Sequence, residues 1–231
     1  MAIGTEVEER IKALAEYLEQ DISTVTMYDQ AENIFEESKE GRRFYVLTED
    51  EAREKAEEDV KNFIRDAGVE YFAEDFKDWI YSKAIDRDWF DDALKESEEL
   101  YVDDIEKESS DTCENRLIEE LYDAGLLDDS DFEVDYVGDV DYSSLKDSVD
   151  IDQKKEDYVE YLINKIGDSV EYFRDEFGER EFNNIVNEHN LIDEDRVAEE
   201  AVDWDGVAHF LASYDDEERE LPDDYYAYRI D

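Results

Sequence analysis

The chain of 231 residues carries 74 Asp and Glu against 24 Lys and Arg, a formal net charge of −50 at pH 7. Solubility of a small domain needs a net charge of only about 2 to 8 in magnitude, and further like charge makes a compact protein repel itself. An acidic surface repels anionic lipid and nucleic acid, so we expect neither a membrane nor nucleic acid as a direct partner. Disorder is excluded too, since 41% of the residues are hydrophobic and 11 Phe, 16 Tyr and 3 Trp can build a core.

The same composition limits location and cofactors. The sequence shows no secretory signal and no apolar run of about 18 residues, so we expect a cytoplasmic protein. Its one cysteine, Cys113, allows neither an internal disulfide nor a cysteine-based zinc site. We therefore expect no cofactor and no structural metal.

The first part of the chain predicts a helix followed by a small β-hairpin. Thr5 with Glu8 forms a capping box and predicts a helix over about 6–20. Residues rich in β-branched and aromatic side chains at 24–35 and 44–47 predict two short strands around a turn.

The middle of the chain predicts helices alone. Thr48 and Glu51 form a second capping box, and the apolar stripe that follows them ends before Gly68. The next apolar stripes predict helices over about 69–84 and 89–107, and Asp111 with Glu114 starts a further helix that Gly125 closes.

Residues 128–152 interrupt this pattern with nine Asp and one Glu against Lys146 alone. They fit either a β-like segment or an acidic linker, and they predict a boundary between domains at 1–127 and 153–231. Beyond the boundary the pattern predicts four helices, at about 153–166, 168–177, 180–190 and 194–203. A short helix at 207–213 and a short C-terminal strand at 225–230 follow them. The predicted fold class is mostly α (α+β), a helical body with a small N-terminal hairpin and a short terminal strand.

The acidic charge is concentrated beyond residue 80, where the net charge is −37. On the helix at 89–107, five carboxylates recur at spacings of 4, 3, 4 and 3, opposite the apolar stripe: Asp92, Glu96, Glu99, Asp103 and Glu106. At a rise of about 1.5 Å per residue they place a charge about every 5 Å, against about 3.4 Å of axis per phosphate on one DNA strand. An ordinary solvated helix face is the alternative interpretation.

Two further acidic groups are candidates for partner binding. They are the acidic segment Asp128, Asp129, Asp131, Glu133, Asp135, Asp139 and Asp141, and the C-terminal group Asp215, Asp216, Glu217 and Glu218. The acidic segment could instead hold a hard cation, but a calcium loop beginning at Asp139 has Ser144 where the turn needs glycine.

Residues that could support catalysis are few. Cys113 lies at a predicted helix start, His189 and His209 lie among apolar residues, and no glycine-rich phosphate loop exists. Choosing an acid and base pair among 74 carboxylates would be arbitrary. We expect no enzymatic activity.

Three hypotheses account for the charge. A rigid acidic protein can occupy the positive groove of a DNA- or RNA-binding protein in place of nucleic acid. An acidic binding protein or chaperone for basic proteins would use the same chemistry on another partner. Adaptation to high salt is the third hypothesis, and it predicts scarce lysine, whereas this chain has 12 Lys and 12 Arg.

The overall acidity, helical body and cytosolic character resemble the phage- and plasmid-encoded DNA-mimic inhibitors of restriction and CRISPR enzymes. The ending at 205–215 and 225–229 resembles the C-terminal part of small phage proteins of that kind. This resemblance covers about the last 30 residues. It implies a host defence nuclease as partner, reached in the cytoplasm of the host cell, and no direct binding to nucleic acid.

Overall fold

A computed structural model describes residues 3–112, 116–132 and 145–231. These residues form a mostly helical α+β protein, as the sequence predicts. The α-helices are α1 (Ile3–Tyr17), α2 (Glu49–Ala67), α3 (Glu74–Lys83), α4 (Arg87–Thr112), α5 (Arg116–Asp123), α6 (Ile151–Ile166), α7 (Ser169–Phe177), α8 (Glu179–Glu188), α9 (Glu194–Asp205) and α10 (Val207–Leu211). The strands are β1 (Val25–Asp29), β2 (Ile34–Glu37), β3 (Arg43–Thr48), β4 (Glu218–Glu220) and β5 (Tyr225–Arg229).

The chain divides into two compact units, which differ from the predicted domains. The sheet unit consists of Met1–Ile85 and Ile192–Asp231, and the helical unit is Asp86–Leu191. The predicted boundary at 128–152 lies inside the helical unit, where Phe132 pairs with Leu145 in a β-bridge. Composition along the chain shows where the helical pattern stops, but it does not show that the C-terminal segment packs with the N-terminal one.

The predicted hairpin and terminal strand are both present, and they belong to one sheet. The strand order is β1-β2-β3-β5-β4, and every neighbouring pair is antiparallel. β5 pairs with β3, with Thr48 opposite Tyr225 and Phe44 opposite Arg229. The period-2 pattern of a strand indicates its existence but not its partner, so this pairing was not predictable locally.

Both faces of the sheet are covered by helices. Phe44 and Val46 of β3 point into a core cluster that contains Leu14 of α1. Because successive strand residues alternate in direction, Tyr45 lies on the opposite face, where Lys55 of α2 places its ammonium group 4.9 Å from the ring centroid.

Arg10 is a buried cation within the sheet unit, with 1% of its surface exposed. Its guanidinium donates hydrogen bonds to the carbonyl oxygen of Val46 at 2.5 Å, to Glu6 at 2.6 Å and to Glu51 at 2.7 Å. It also lies 5.0 Å from the ring centroid of Tyr225. One side chain therefore joins α1, β3, β5 and the start of α2.

Glu37 is a fully buried carboxylate at the end of β2. It accepts hydrogen bonds from the backbone N–H groups of Lys39 and Glu40 and from Nε of Arg42, the last at 3.2 Å. Burial alone would raise the pKa of the carboxyl, but these donors hold the pKa below its ordinary value. The charged form therefore fixes the turn between β2 and β3.

Replacing Glu37 by Gln is expected to destabilise the protein by about 1–3 kcal/mol at pH 7, because charged hydrogen bonds are lost in a buried site. Because the pKa of Glu37 is lower in the folded than in the unfolded protein, its charged form stabilises the fold at any pH above the unfolded pKa of about 4.3. This stabilisation is lost as the pH falls through the pKa of the folded protein. Urea midpoints of parent and variant should therefore converge between about pH 5 and pH 3. A difference that stays constant over that range would contradict this role.

The contact between α2 and α9 combines an apolar seam with surface ion pairs. Buried Val60 of α2 and Val197 of α9 belong to the seam. Three ion pairs flank it: Arg53–Asp203 at 2.8 Å, Lys61–Asp195 at 2.6 Å and Arg65–Glu194 at 2.7 Å.

We expect the seam, not the ion pairs, to hold α9 on α2. The Arg53 side chain is 41% exposed, so Arg53→Ala should cost no more than about 1 kcal/mol. Val60→Ala on the same helix should cost about 2 kcal/mol through lost burial and a cavity. Thermal unfolding of the two variants tests this order, and a larger loss for Arg53→Ala would refute it.

The helical unit contains α4 to α8. One of its cores joins Val102 and Ile105 of α4 to Leu121 of α5 and Val159 of α6. Near the start of α4, the ring of Phe90 stacks on that of Phe182 with centroids 5.4 Å apart. Among the helices that the structure describes, none is both long and apolar enough to cross a membrane.

Candidate partner-binding surface

The exposed face of α4 carries the predicted carboxylate row. Four side chains on this helix are buried against the rest of the helical unit: Phe90, Leu94, Val102 and Ile105. Their burial turns the opposite face outward, and Asp92, Glu96, Glu99 and Asp103 are exposed there. The structure therefore brings four of the five predicted residues onto one open surface.

Two members of the row have basic partners, which the sequence pattern did not indicate. Glu106 is half-buried, and its Oε1 lies 2.6 Å from Nζ of Lys155 on α6. Glu99 is exposed, with its Oε1 3.9 Å from Nζ of Lys95. Glu106 therefore joins α4 to α6 and does not present a free charge.

The other three acids of the row have no such neutralising partner. None of the lysines and arginines that the structure describes forms an ion pair with Asp92, Glu96 or Asp103. Like charges at these helical spacings repel by about 0.2–0.5 kcal/mol per pair, so the arrangement does not stabilise the helix itself.

A second carboxylate row lies on α6. Asp152, Glu156 and Glu160 recur every four residues and are exposed. The predicted boundary divided this row, since Asp152 fell in the acidic segment at 128–152 and the other two acids fell in the helix predicted at 153–166. The structure shows that Lys155 pairs with Glu106 at 2.6 Å and also with Asp152 of this row at 3.6 Å. Lys154 donates to the carbonyl oxygen of Leu126 at 2.6 Å.

An open groove of about 680 Å³ lies between α4 and α6. Val102, Val159 and Ile163 line it together with acids of both rows and with the two lysines Lys95 and Lys155. Five carboxylates therefore face two ammonium groups along one depression. A groove with predominantly negative charge and apolar walls focuses the electric field and attracts positively charged groups.

The described part of the acidic segment is held by local hydrogen bonds. Asp128 accepts from the backbone N–H of Ser130 at 2.7 Å, and Asp131 accepts from that of Asp128 at 3.0 Å. Hydrogen bonds from Ser130 lower the pKa of Asp128. Asp129 accepts from the hydroxyl of Tyr122 at 2.8 Å. Glu133, Asp135, Asp139 and Asp141 lie outside the described residues.

The predicted C-terminal group lies in the sheet unit, where most of its members have structural partners. Asp215 pairs with Arg219, which lowers the pKa of the carboxyl, and Glu217 lies 3.0 Å from the same guanidinium. Glu218 accepts a hydrogen bond from the hydroxyl of Tyr228 at 2.7 Å. Asp216 is exposed with a left-handed backbone at φ 55°. The structure thus assigns this group to the turn before β4 and to the first residue of that strand, and does not place it with the α4 row in one unit.

Both units are strongly acidic. The sheet unit has 38 acids and 14 bases, a net charge of −24, and the helical unit has 36 acids and 10 bases, a net charge of −26. The concentration beyond residue 80 along the sequence therefore does not single out one unit. In the helical unit, carboxylates of two helices line one groove of about 680 Å³. Acids also line a smaller groove of about 300 Å³ in the sheet unit, where Glu51 is paired with Arg10.

The two histidines contact aromatic rings. The ring centroid of His189 lies 4.8 Å from that of Trp89, and His209 lies 5.0 Å from Phe210. Within the described ranges, no three His, Cys, Asp or Glu side chains are grouped to hold a metal ion. No protein-family model, curated protein or solved structure matches the chain. Function is therefore inferred from the residues of this chain alone.

Proposed function

We propose that the protein is a nucleic-acid mimic that inhibits a DNA- or RNA-binding defence enzyme, such as a restriction or CRISPR effector, in the cytoplasm of the host cell. It would occupy the positively charged groove that normally binds nucleic acid. The observation that carries this proposal is the pair of exposed carboxylate rows on α4 and α6. Part of each row lines one groove: Glu99 and Asp103 of α4, and Asp152, Glu156 and Glu160 of α6.

The spacing of the rows supports substitution for phosphates. From Asp92 to Asp103 the helix rises about 16 Å at about 1.5 Å per residue, so four carboxylates stand about 5 Å apart. One DNA strand carries a phosphate about every 3.4 Å of axis, so a row is sparser than a strand but of the same order. A groove that binds duplex DNA contacts the phosphates of two strands. Two acidic rows can therefore pair with more of its basic side chains than one row can.

Rigidity supports the proposal as well. The carboxylates stand on helices whose opposite faces are packed into a core, so binding need not order the backbone. Lysines and arginines arranged to neutralise phosphates attract any comparable array of negative charge, and long-range attraction speeds the encounter. No chemical step is required, so the protein acts by binding alone.

A competition experiment tests this function. A fluorescent duplex of about 25 base pairs, which carries roughly the charge of this protein, is bound in turn to a restriction endonuclease, a guide-loaded CRISPR effector and a histone-like protein. We expect the protein to displace the duplex from at least one of the two defence enzymes and to inhibit its cleavage. Binding to the histone-like protein alone would instead support an acidic chaperone.

Salt dependence provides a second test on the same complexes. If carboxylates replace phosphates at basic side chains, affinity should fall at least about tenfold between about 50 and 200 mM salt. An affinity that does not change over this range would contradict the proposal.

A further inference from the structure

Six aromatic side chains of the sheet unit form a continuous surface cluster, here called the aromatic face: Phe63, Tyr71, Phe72, Phe76, Trp79 and Trp204. Phe76 is its anchor, with only 6% of its surface exposed. The ring centroids of Phe72, Trp79 and Trp204 lie 5.2, 5.5 and 5.1 Å from that of Phe76. The cluster is thus fixed to the core and not a set of independent surface rings.

Three of these rings are open to solvent. Phe63 is 42% exposed, Trp204 is 53% exposed and Tyr71 is 67% exposed. Phe63 connects Tyr71 to the rest of the cluster, since its ring centroid lies 6.4 Å from that of Tyr71 and 5.4 Å from that of Phe72. Contiguous exposed aromatic surface is unusual on a monomer, and Trp and Tyr are enriched at the centres of protein interfaces.

The surroundings of the aromatic face are acidic. Glu70 precedes Tyr71, Asp205 follows Trp204, and Asp66 lies one helical turn from Phe63 on α2. All three acids are exposed, and none forms an ion pair with a base in the part of the chain that the structure describes. Rings rimmed by free carboxylates attract a cation through both the π-system and the charge.

Cation–π contacts between arginine and aromatic rings already occur within the sheet unit. The guanidinium of Arg196 lies 5.8 Å from the ring centroid of Trp79, at the edge of the aromatic face. Elsewhere in the sheet unit, Arg43 lies 4.0 Å from the ring of Tyr28, and Arg229 lies 3.6 Å from that of Tyr214. Among the described residues, no arginine or lysine covers the rings of Phe63, Tyr71 or Trp204 in this way.

From this geometry we propose that the aromatic face is a docking site for a partner protein that presents arginine side chains, whose guanidinium groups stack on Trp204 and Tyr71. A second copy of this chain is a poor occupant, because each copy carries a net charge of −50 and the rims would repel. The inference goes beyond the proposed mimicry, since it does not use the carboxylate rows of α4 and α6. Arginine is preferred to lysine, because its planar, weakly hydrated group stacks on aromatic faces.

Two peptides of equal charge test this inference: alternating arginine and glycine, and alternating lysine and glycine. Charge attracts both peptides equally, so the ratio of their dissociation constants measures stacking. Lysine also binds the face of an aromatic ring but stacks less well, so with two rings engaged the parent protein should prefer the arginine peptide by about 3- to 10-fold in fluorescence anisotropy. The double variant Tyr71→Ala/Trp204→Ala should reduce the ratio to less than about twofold.

Matched variants separate stacking from other effects. Phe177→Ala removes a ring of the helical unit that is 45% exposed and packs on Phe173, and the ratio should remain that of the parent. The single variant Tyr71→Ala removes the most exposed ring of the face and leaves Trp204 packed on Phe76. Its effect therefore cannot come from disturbed packing of Trp204. This variant should lower the ratio at least about twofold, because one of two stacking sites is lost.

The outcomes distinguish this inference from the proposed function. Reversal of Asp92, Glu96 and Asp103 to lysine should weaken both peptides alike and leave their ratio unchanged, whether or not mimicry is correct. Equal affinity of the parent for both peptides would overturn the inference, as would a preference that survives in Tyr71→Ala/Trp204→Ala. Dimerisation in sedimentation velocity that Trp204→Ala abolishes would also overturn it, since a second copy would then cover the face.

Discussion

If the protein is a nucleic-acid mimic, reversing Asp92, Glu96 and Asp103 to lysine should slow association with its proposed target, a defence enzyme, by about 10- to 100-fold while leaving the fold intact. These three acids are exposed and unpaired within the described chain, so their removal breaks no ion pair. Because long-range attraction acts mainly on the encounter, the association rate should fall more than the dissociation rate rises. Stopped-flow or surface-binding kinetics at low salt measure both rates.

The control is a variant with the same change of net charge on a different surface, in the sheet unit. Glu8, Glu9 and Glu16 of α1 are exposed in the sheet unit, and their reversal alters the net charge of the protein by the same amount. If mimicry depends on the α4 row, this variant should associate at nearly the parent rate. Equal slowing by both variants would show that total charge matters and that the assigned surface is wrong.

Replacement of Arg10 by Ala should destabilise the sheet unit by about 3 kcal/mol. The substitution leaves the carbonyl oxygen of Val46 without its donor and separates Glu51 from its guanidinium partner. Glu6 and Glu51 have partly exposed side chains and can regain water, which keeps the loss below that of a fully buried ion pair. Urea unfolding followed by circular dichroism gives the change in midpoint.

Lys12 provides the matched control for Arg10, because it is an exposed base two residues further along α1. Lys12→Ala should change stability by less than about 0.5 kcal/mol. If both variants unfold at the parent midpoint, Arg10 does not tie α1 to the strand and to α2.

Local signals in the sequence predicted the helices well. Thr48 and Glu51 form the expected capping box, in which the carboxylate accepts from the backbone N–H of Thr48 at 2.8 Å. The predicted start near Thr5 is wrong, since α1 already begins at Ile3. A capping motif identifies a possible start, but it does not exclude one half a turn earlier.

The pairing of distant segments was not predictable in the same way. The hairpin and the terminal strand each have a local pattern, but their union in one sheet joins Tyr45 to Tyr228, far apart along the chain. The α4 row was visible because helical periodicity is local, whereas the pairing of Glu106 with Lys155 depends on how two helices pack. The aromatic face depends on packing too, since Trp204 reaches Phe76 from another helix.

Mimicry requires that carboxylates of the α4 and α6 rows stand where phosphates would lie. The most direct test measures the affinity of the defence enzyme for the protein over a series of salt concentrations, with the parent and with the Asp92, Glu96 and Asp103 reversal. We predict a steep linear fall of log affinity with log salt for the parent and a clearly shallower slope for the variant. A flat dependence for the parent, or identical slopes for the two proteins, would contradict mimicry.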